Sequence, residues 1–283
     1  MTPSAIITGS NGQDGAYLTE LLRSKGIDPV LVPSASGIPL TAPMVVDDLV
    51  QKVQPDFIFH LAADSTTAHT SARRNHDTIA TGSLNLLEAV RQYTPECRVF
   101  LAGSAYQFKN EGEPIKETDP WDTTSVYCAA RGYSNLLARA YRAMGVCAYF
   151  GYFFHHDSPR RGAAHLSQKI ATAAREKRSI EIGNLRVVKE WTHARDTMEA
   201  VWTFVNQCRV WEANIGTGIG QSIGDFAELC YAAVGLDYTE FVCPVPGYVA
   251  PYRRLTCDPS RIYRAGWKPQ ITLEQLAREM VLG

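Results

Sequence analysis

Short, largely β-branched apolar runs alternate along this chain with longer stretches whose apolar positions recur every three or four residues. In the first half the strand-like runs fall at 5–8, 29–32, 57–61 and 99–102, and the helical patterns at 15–25, 48–54 and 83–93. Another helical pattern covers 126–144, carrying Tyr127, Leu136, Leu137 and Tyr141, and the strand-like run 146–150 follows it. Side chains alternate faces along a strand but return to one face every ~3.6 residues in a helix, so the period separates the two. Strands and helices in alternation make βαβ units and a parallel sheet. The predicted fold class is α/β, with about six strands in a Rossmann-type, doubly wound parallel sheet.

Beyond residue 154 the pattern loosens into Pro159, the pair Arg160-Arg161, a helical stretch at 163–177, a strand-like run at 179–182, and loops rich in Gly, Pro and aromatic residues. Patterns at 196–205 and 213–215 fit a return to the main sheet. The predicted organisation is a sheet domain over 1–154 with return segments at about 193–216, interleaved with a smaller lobe made of 155–192 and 217–283.

Composition narrows the partners. Among 283 residues, 28 are basic and 29 acidic, which leaves no net field to attract nucleic acid or an anionic membrane. The seven cysteines are scattered and include no CxxC pair, as expected of reduced thiols in a cytoplasmic protein. No basic segment precedes the short apolar run at 5–7, and Arg139 and Arg142 interrupt the most apolar stretch, so neither a signal peptide nor a membrane span is predicted.

Directly after the first strand comes Gly9-Ser10-Asn11-Gly12-Gln13-Asp14-Gly15, and a helical pattern follows. Glycines at this spacing let the backbone turn sharply, approach a pyrophosphate and aim helix N-terminal amides at it, which predicts a dinucleotide, NAD or NADP. An NAD site usually has an acidic residue at the end of the second strand, and an NADP site an arginine nearby. Here Pro33-Ser34-Ala35-Ser36 offers neither, and the choice stays open. Asp48 is positioned to approach the adenine end, while Asp47 reads equally as a helix cap.

Several segments together resemble the extended short-chain dehydrogenase/reductases: Ile7-Thr8-Gly9, Gly12-Gln13-Asp14-Gly15, Tyr17-Leu18, Phe59-His60-Leu61-Ala62-Ala63, and Asn85-Leu86-Leu87-Glu88-Ala89. His156-Asp157-Ser158-Pro159-Arg160-Arg161-Gly162, Gly183-Asn184-Leu185, Lys189-Glu190-Trp191 and His193-Ala194-Arg195-Asp196 narrow the resemblance to the GDP-mannose 4,6-dehydratases. It runs to Gly266-Trp267-Lys268-Pro269, with the chain shortened mainly between the second and third strands. In that family a Ser or Thr, a Glu two residues later and a Tyr-x-x-x-Lys pair carry the chemistry. The resemblance puts Ser104 at the hydroxyl position and Tyr127 at the base position. Tyr106 stands where the family has Glu, and Arg131 where it has Lys. A phenol, ordinarily titrating near ~10, replaces a carboxylate poorly as the base for a carbon-bound proton. Arg keeps the positive charge but not the compact shape of an ammonium.

The resemblance also implies roles outside the catalytic set. Leu61, Ala62, Ala63, His156 and Arg161 fall at dinucleotide positions, together with Gly9, Gly12, Gln13, Asp14, Gly15, Tyr127 and Arg131. Lys169, Lys189 and Arg253 fall where the family holds a nucleotide diphosphate, with Tyr106 and His155 also on the substrate side and Arg160 a further available cation. His155-His156 does not make a metal pair, because adjacent residues rarely face one ion. Asp196 is expected to cap or brace its helix. The implied protein is a cytoplasmic, homodimeric or homotetrameric enzyme that uses NAD or NADP at C4 of a nucleotide-diphosphate sugar, most simply a GDP-hexose. Dehydratase ancestry, a 4-keto-sugar reductase or epimerase, and a non-catalytic relative are the alternatives that Tyr106 and Arg131 leave open.

Overall fold

Alternate faces of the first strand already divide the core in two. In the computed structural model, which describes residues 3–34, 38–64, 66, 68–207 and 210–283, β1 (Ala5–Thr8) turns Ile6 to one face of the sheet and Ala5 and Ile7 to the other. All four residues are buried, as a central strand covered on both sides requires. Ala35, Ser36 and Cys208 lie outside the described residues.

The chain continues through α1 (Gln13–Ser24), β2 (Val30–Val32), α2 (Pro43–Val53), β3 (Phe57–His60), α3 (Ala72–Asn75), α4 (Gly82–Tyr93), β4 (Arg98–Ser104), α5 (Val126–Ala143) and β5 (Cys147–Phe153). A π-helical stretch, His76–Thr81, joins α3 to α4. The second half adds β6 (His156–Asp157), α6 (Leu166–Arg175), β7 (Ile180–Ile182), β8 (Val188–Lys189), β9 (Thr192–His193), α7 (Ala194–Val205) and β10 (Glu212–Ile215). It closes with β11 (Gln221–Ser222), α8 (Ile223–Ala232), β12 (Val242–Pro244), β13 (Arg254–Leu255), α9 (Ser260–Arg264) and α10 (Leu273–Leu282).

The main sheet has six parallel strands in the order β10-β5-β4-β3-β1-β2. The chain winds from β1 to one edge and then back across to the other, which makes the sheet doubly wound and α/β. Helices α2, α4 and α5 cover one face through Val46, Val50, Leu86, Val90 and Ala138. Helices α1 and α7 cover the other through Leu18, Leu22, Met198, Val201 and Phe204.

One boundary differs from the pattern along the sequence. The second helix begins at Pro43, ahead of the predicted 48–54, because proline's fixed φ and missing N–H suit a first turn. Met44 and Val45 in that turn are exposed, so they give no amphipathic signal. Among the described residues β2, three residues long, is the edge of the sheet.

The opposite edge, β10, joins after the chain has visited the smaller lobe. Arg139 Nη2 and Arg142 Nη2 of α5 reach the Glu212 carboxylate at 2.6 Å each, and Tyr152 Oη donates to it at 3.1 Å. Burial alone would raise the Glu212 carboxyl, but the two guanidiniums outweigh it and hold it below the ordinary carboxylate range. The smaller lobe packs α6, α8 and α10 around Ile170, Trp191, Phe226, Leu276 and Met280. Asp196 braces the junction: its Oδ2 accepts the N–H groups of Gln270 and Ile271 at 2.7 and 2.8 Å, tying α7 to the approach of α10.

Candidate active site

The carboxyl ends of β1, β4 and β5 open into one cavity of about 410 Å³. Ligands of open α/β sheets bind at this end, where the winding reverses.

Its floor is the glycine turn. Gly9 has φ +75°, and a Cβ there would stand 2.8 Å from the backbone of Ala62. A Cβ on Gly15 would stand 2.5 Å from the Gly9 carbonyl oxygen, so α1 can begin this close to β1 only with glycine present. Gly12 caps α1 without a side chain, which leaves the first-turn N–H groups of the helix for a ligand. Gly9, Gly12, Gln13, Asp14, Gly15, Leu61, Ala62 and Ala63 all line the cavity.

An acidic residue in that first turn would oppose a pyrophosphate, yet Asp14 is not a free charge. His156 Nε2 lies 3.0 Å from both of its carboxylate oxygens, and His156 Nδ1 lies 2.8 Å from the Phe154 carbonyl oxygen. With an acceptor at each ring nitrogen, the imidazole donates from both and is therefore cationic. Burial works against that charge, but the Asp14 carboxylate outweighs it and raises the His156 pKa. Beside the pair, Ser158 Oγ donates to Gln13 Oε1 at 2.8 Å.

At the end of β4, Ser104 Oγ accepts the Tyr106 N–H at 3.3 Å, and its backbone N–H donates to Gln107 Oε1 at 2.8 Å. The hydroxyl proton is thereby left to the cavity. Ser125 caps α5 by accepting the Cys128 N–H at 3.1 Å, which sets Tyr127 in the first turn, on the cavity wall with Ser104. One turn on, Arg131 is 5% exposed; its Nη1 donates to the Ala102 carbonyl and its Nε to Tyr127 Oη at 3.4 Å. Its charge also reaches His60, which burial, with Arg131 adding to it, brings down to about 4. That histidine is neutral, donating from Nε2 to the Thr78 carbonyl and accepting Thr8 Oγ1 at Nδ1, and it fixes the strand ends under the glycine turn.

The far wall is aromatic. The Tyr106 ring, 45% exposed, meets Tyr252 of the smaller lobe edge to face at 6.3 Å between centroids. His155 and Arg161 also line the cavity, and Arg161 Nε lies 3.3 Å from the buried Asp157. The other expected contacts fall elsewhere. Asp48 is exposed in the middle of α2, and Lys169 and Arg253 are exposed in the smaller lobe; none lies on the described cavity wall. Lys189 is buried behind the wall, its Nζ 4.4 Å from the centre of the Trp191 ring, and burial lowers its pKa to about 8. Arg160 turns outward to Glu20 at 2.5 Å. Two residues that the sequence did not single out belong to the arrangement: Tyr252, in a loop without periodicity, and Asp157, inside the motif but with no signal of burial.

The model of the GDP-mannose 4,6 dehydratase family matches residues 37–280. The chain belongs to this family. The Arabidopsis thaliana GDP-mannose 4,6 dehydratase 2 is 31% identical over 318 residues, covering 98% of this chain and 85% of that protein. The Vibrio cholerae GDP-mannose 4,6-dehydratase is 29% identical over 348 residues, covering 100% and 94%. Solved structures extend the likeness in fold. The UDP-glucose 4-epimerase of Thermus thermophilus, in complex with NAD, superposes with a TM-score of 0.84 at 21% identity, covering 98% of this chain and 97% of that one. RMD from Pseudomonas aeruginosa, complexed with NADPH, gives 0.87 at 23%, covering 100% and 97%. For a GDP-mannose 4,6 dehydratase family member, the two unusual positions are now concrete: a phenol at 106 on the open side of the cavity, and a guanidinium at 131 anchored to β4.

Proposed function

We propose that this protein is an NAD- or NADP-dependent nucleotide-sugar-modifying enzyme, similar to the GDP-mannose 4,6-dehydratases, that acts at C4 of a GDP-activated hexose. The observation that carries the proposal is convergence: the uncapped α1 N-terminus with its glycine turn, the Ser104 hydroxyl, and the Tyr127–Arg131 pair all face one cavity. Residues 1–154 with the return at 193–216 would hold the dinucleotide, and 155–192 with 217–283 the sugar nucleotide.

The glycine turn and the α1 amides fit a pyrophosphate, and Asp14, neutralised by His156, does not oppose it. When bound, the nicotinamide supplies hydride transfer at C4. Ser104 donates its hydroxyl hydrogen bond to the 4-oxygen. Tyr127 exchanges a proton with that oxygen, and Arg131 Nε stabilises the phenolate form while the Ala102 carbonyl keeps the guanidinium in place. Asp48, Lys169 and Arg253, exposed away from the cavity wall, and Lys189, buried behind it, are proposed as further ligand contacts.

One observation favours a 4-keto-sugar reductase or epimerase as the second reading. Asp14 is the one carboxylate among the described lining residues, and it is engaged with His156 at the dinucleotide end. The 4,6-elimination of the family needs a base at C5, and position 106 offers a phenol. A homo-oligomer pairing α4 and α5 is supported by Val126, Tyr133 and Leu136, which α5 leaves exposed. A cytoplasmic location fits the scattered free cysteines, and among the described residues no helix is long and apolar enough to cross a membrane.

The test is titration of the purified protein with each dinucleotide, followed by GDP-mannose with the oxidised form and a GDP-4-keto-6-deoxyhexose with the reduced form. Expected is micromolar binding of one dinucleotide and a change in reduced-nicotinamide absorbance with one of the sugars. Failure of every dinucleotide to bind at millimolar concentration would overturn the reading and leave a non-catalytic relative.

A further inference from the structure

The strand register places a second polar group next to the catalytic pair. Ser104 is the last residue of β4, and it pairs with Phe153, the last residue of β5. Neighbouring strands stand about 4.8 Å apart, so the residues just past Phe153 enter the cavity beside Ser104. His155 is one of them, and it lines the cavity.

Its surroundings fix the ring. Trp191 meets it edge to face at 4.9 Å between centroids, and Trp191 is itself stacked on Phe226 at 4.2 Å. His155 Nε2 lies 2.5 Å from Asp157 Oδ2. A lone pair there would face a carboxylate, so Nε2 carries the proton and Nδ1 is left as an acceptor. With Nε2 turned to Asp157, Nδ1 is the ring nitrogen left as an acceptor on a residue that lines the cavity. Asp157 is fully buried; burial alone would raise its carboxyl, but His155, Arg161 and Lys189 outweigh it and keep it ionised. Burial and the charges of Lys189 and Arg161, against the pull of Asp157, bring His155 down to about 4, so the imidazole is neutral near pH 7. Neither Asp157 oxygen, nor His155 Nε2 or Arg161 Nε facing them at 2.5 and 3.3 Å, is in a well-aligned hydrogen bond, so the pair is held by proximity and charge. A ring that only filled space against Trp191 would need no buried, ionised and under-bonded carboxylate behind it.

We propose that His155, backed by Asp157, is an acid–base catalyst that removes the proton from a carbon adjacent to the C4 ketone of a keto-sugar nucleotide. The proposal rests on the reading of the cavity as a nucleotide-sugar site and adds to it the base that position 106 lacks. In the step, the C–H bond breaks and its proton passes to Nδ1. The electron pair moves into the ring to form a carbon–carbon double bond, and the C4 carbonyl becomes an enolate. Ser104 donates to that enolate oxygen, and Asp157 stabilises the imidazolium. Reversal returns a proton to carbon, so the step is redox-neutral and needs no co-reactant. Return of the proton by His155 to the face it left, after the imidazolium has exchanged with solvent, gives hydrogen exchange without inversion.

The experiment is incubation of the full-length protein with a GDP-4-keto-6-deoxyhexose in deuterated water, without reduced dinucleotide, followed by mass spectrometry and proton NMR of the sugar. Expected is enzyme-dependent deuterium at a carbon next to C4. His155→Asn should lose it by about a hundredfold or more, and His155→Gln likewise. Circular dichroism and dinucleotide titration of both variants report whether they fold, so that a loss of exchange is read on folded protein. C4 reduction by the unaltered protein with no deuterium uptake would overturn the His155 role and leave the C4 reading standing. Exchange that survives in both variants would overturn it too. Absence of both exchange and C4 reduction in the unaltered protein would sink the two readings together.

Discussion

The two ends of the cavity are built on different principles. At the end proposed to hold the dinucleotide the polar groups are matched within the protein: Asp14 with His156, Gln13 with Ser158, and His60 between Thr8 and the Thr78 carbonyl. What remains open there is backbone, the first-turn amides of α1. At the end proposed to hold the sugar, what stands open is side chain: the Ser104 hydroxyl hydrogen and the exposed Tyr106 ring against Tyr252, with His155 on the same wall. Backbone recognises what every dinucleotide shares, a pyrophosphate. In the proposed reading side chains decide which sugar enters and what is done to it, so that is the end where chemistry changes without loss of the fold.

The contrast can be broken most severely at Gly15. A methyl group there would meet the Gly9 carbonyl oxygen at 2.5 Å, both of them held by the backbone. Gly15→Ala is expected to abolish dinucleotide binding, measured by calorimetric titration, and to cost about 1–3 kcal/mol of stability. Next comes the other end, where Tyr127→Phe should lower C4 turnover by roughly a thousandfold and change dinucleotide affinity by less than about threefold. Equal losses in turnover and affinity would show that Tyr127 belongs to the binding half instead.

A smaller effect reads the matched end through pH. His60 titrates near ~6.5 in an unfolded chain, and burial, with Arg131 adding to it, brings it to about 4 in the folded protein. Between those values the unfolded chain binds a proton that the folded one refuses. Its contribution is therefore complete above about 6.5 and lost as pH falls toward 4, a loss of about 3 kcal/mol. Urea unfolding across that range should show the decline, and His60→Gln should reduce it by about that amount, leaving the part that His155 contributes. The smallest effect belongs to Arg160→Ala. Its bridge to Glu20 is solvent-exposed, so stability should change by less than ~1 kcal/mol and dinucleotide affinity by under about twofold. An Arg160 variant that lost binding would place that cation in the site.

Sheet and helices were legible because period and burial agree: Ile6 and Ile58 are buried under one face, and Ile7, Phe57 and Phe59 under the other. The glycine turn was legible for the same kind of reason, a backbone demand that few sequences can meet. Lys169, Lys189 and Arg253 show the opposite. A cation's position in a motif says nothing of its orientation, and the structure leaves two of them exposed and the third behind Trp191. Asp157 and Tyr252 were hidden because their importance comes from partners that a one-dimensional pattern does not bring together. The early start of α2 was hidden because Met44 and Val45 are exposed and carry no period.

The late arrival of β10 sets an order on biosynthesis. As the chain leaves the ribosome, β5 is complete at Phe153, but its outer neighbour begins only at Glu212, after the residues of α6 and α7. Until then Arg139 and Arg142 have no Glu212, and a nascent chain stalled before that point carries an unfinished sheet margin along β5. Such a chain should be a good chaperone client and easily cut by protease, and release from both should coincide with emergence of residues 212–215.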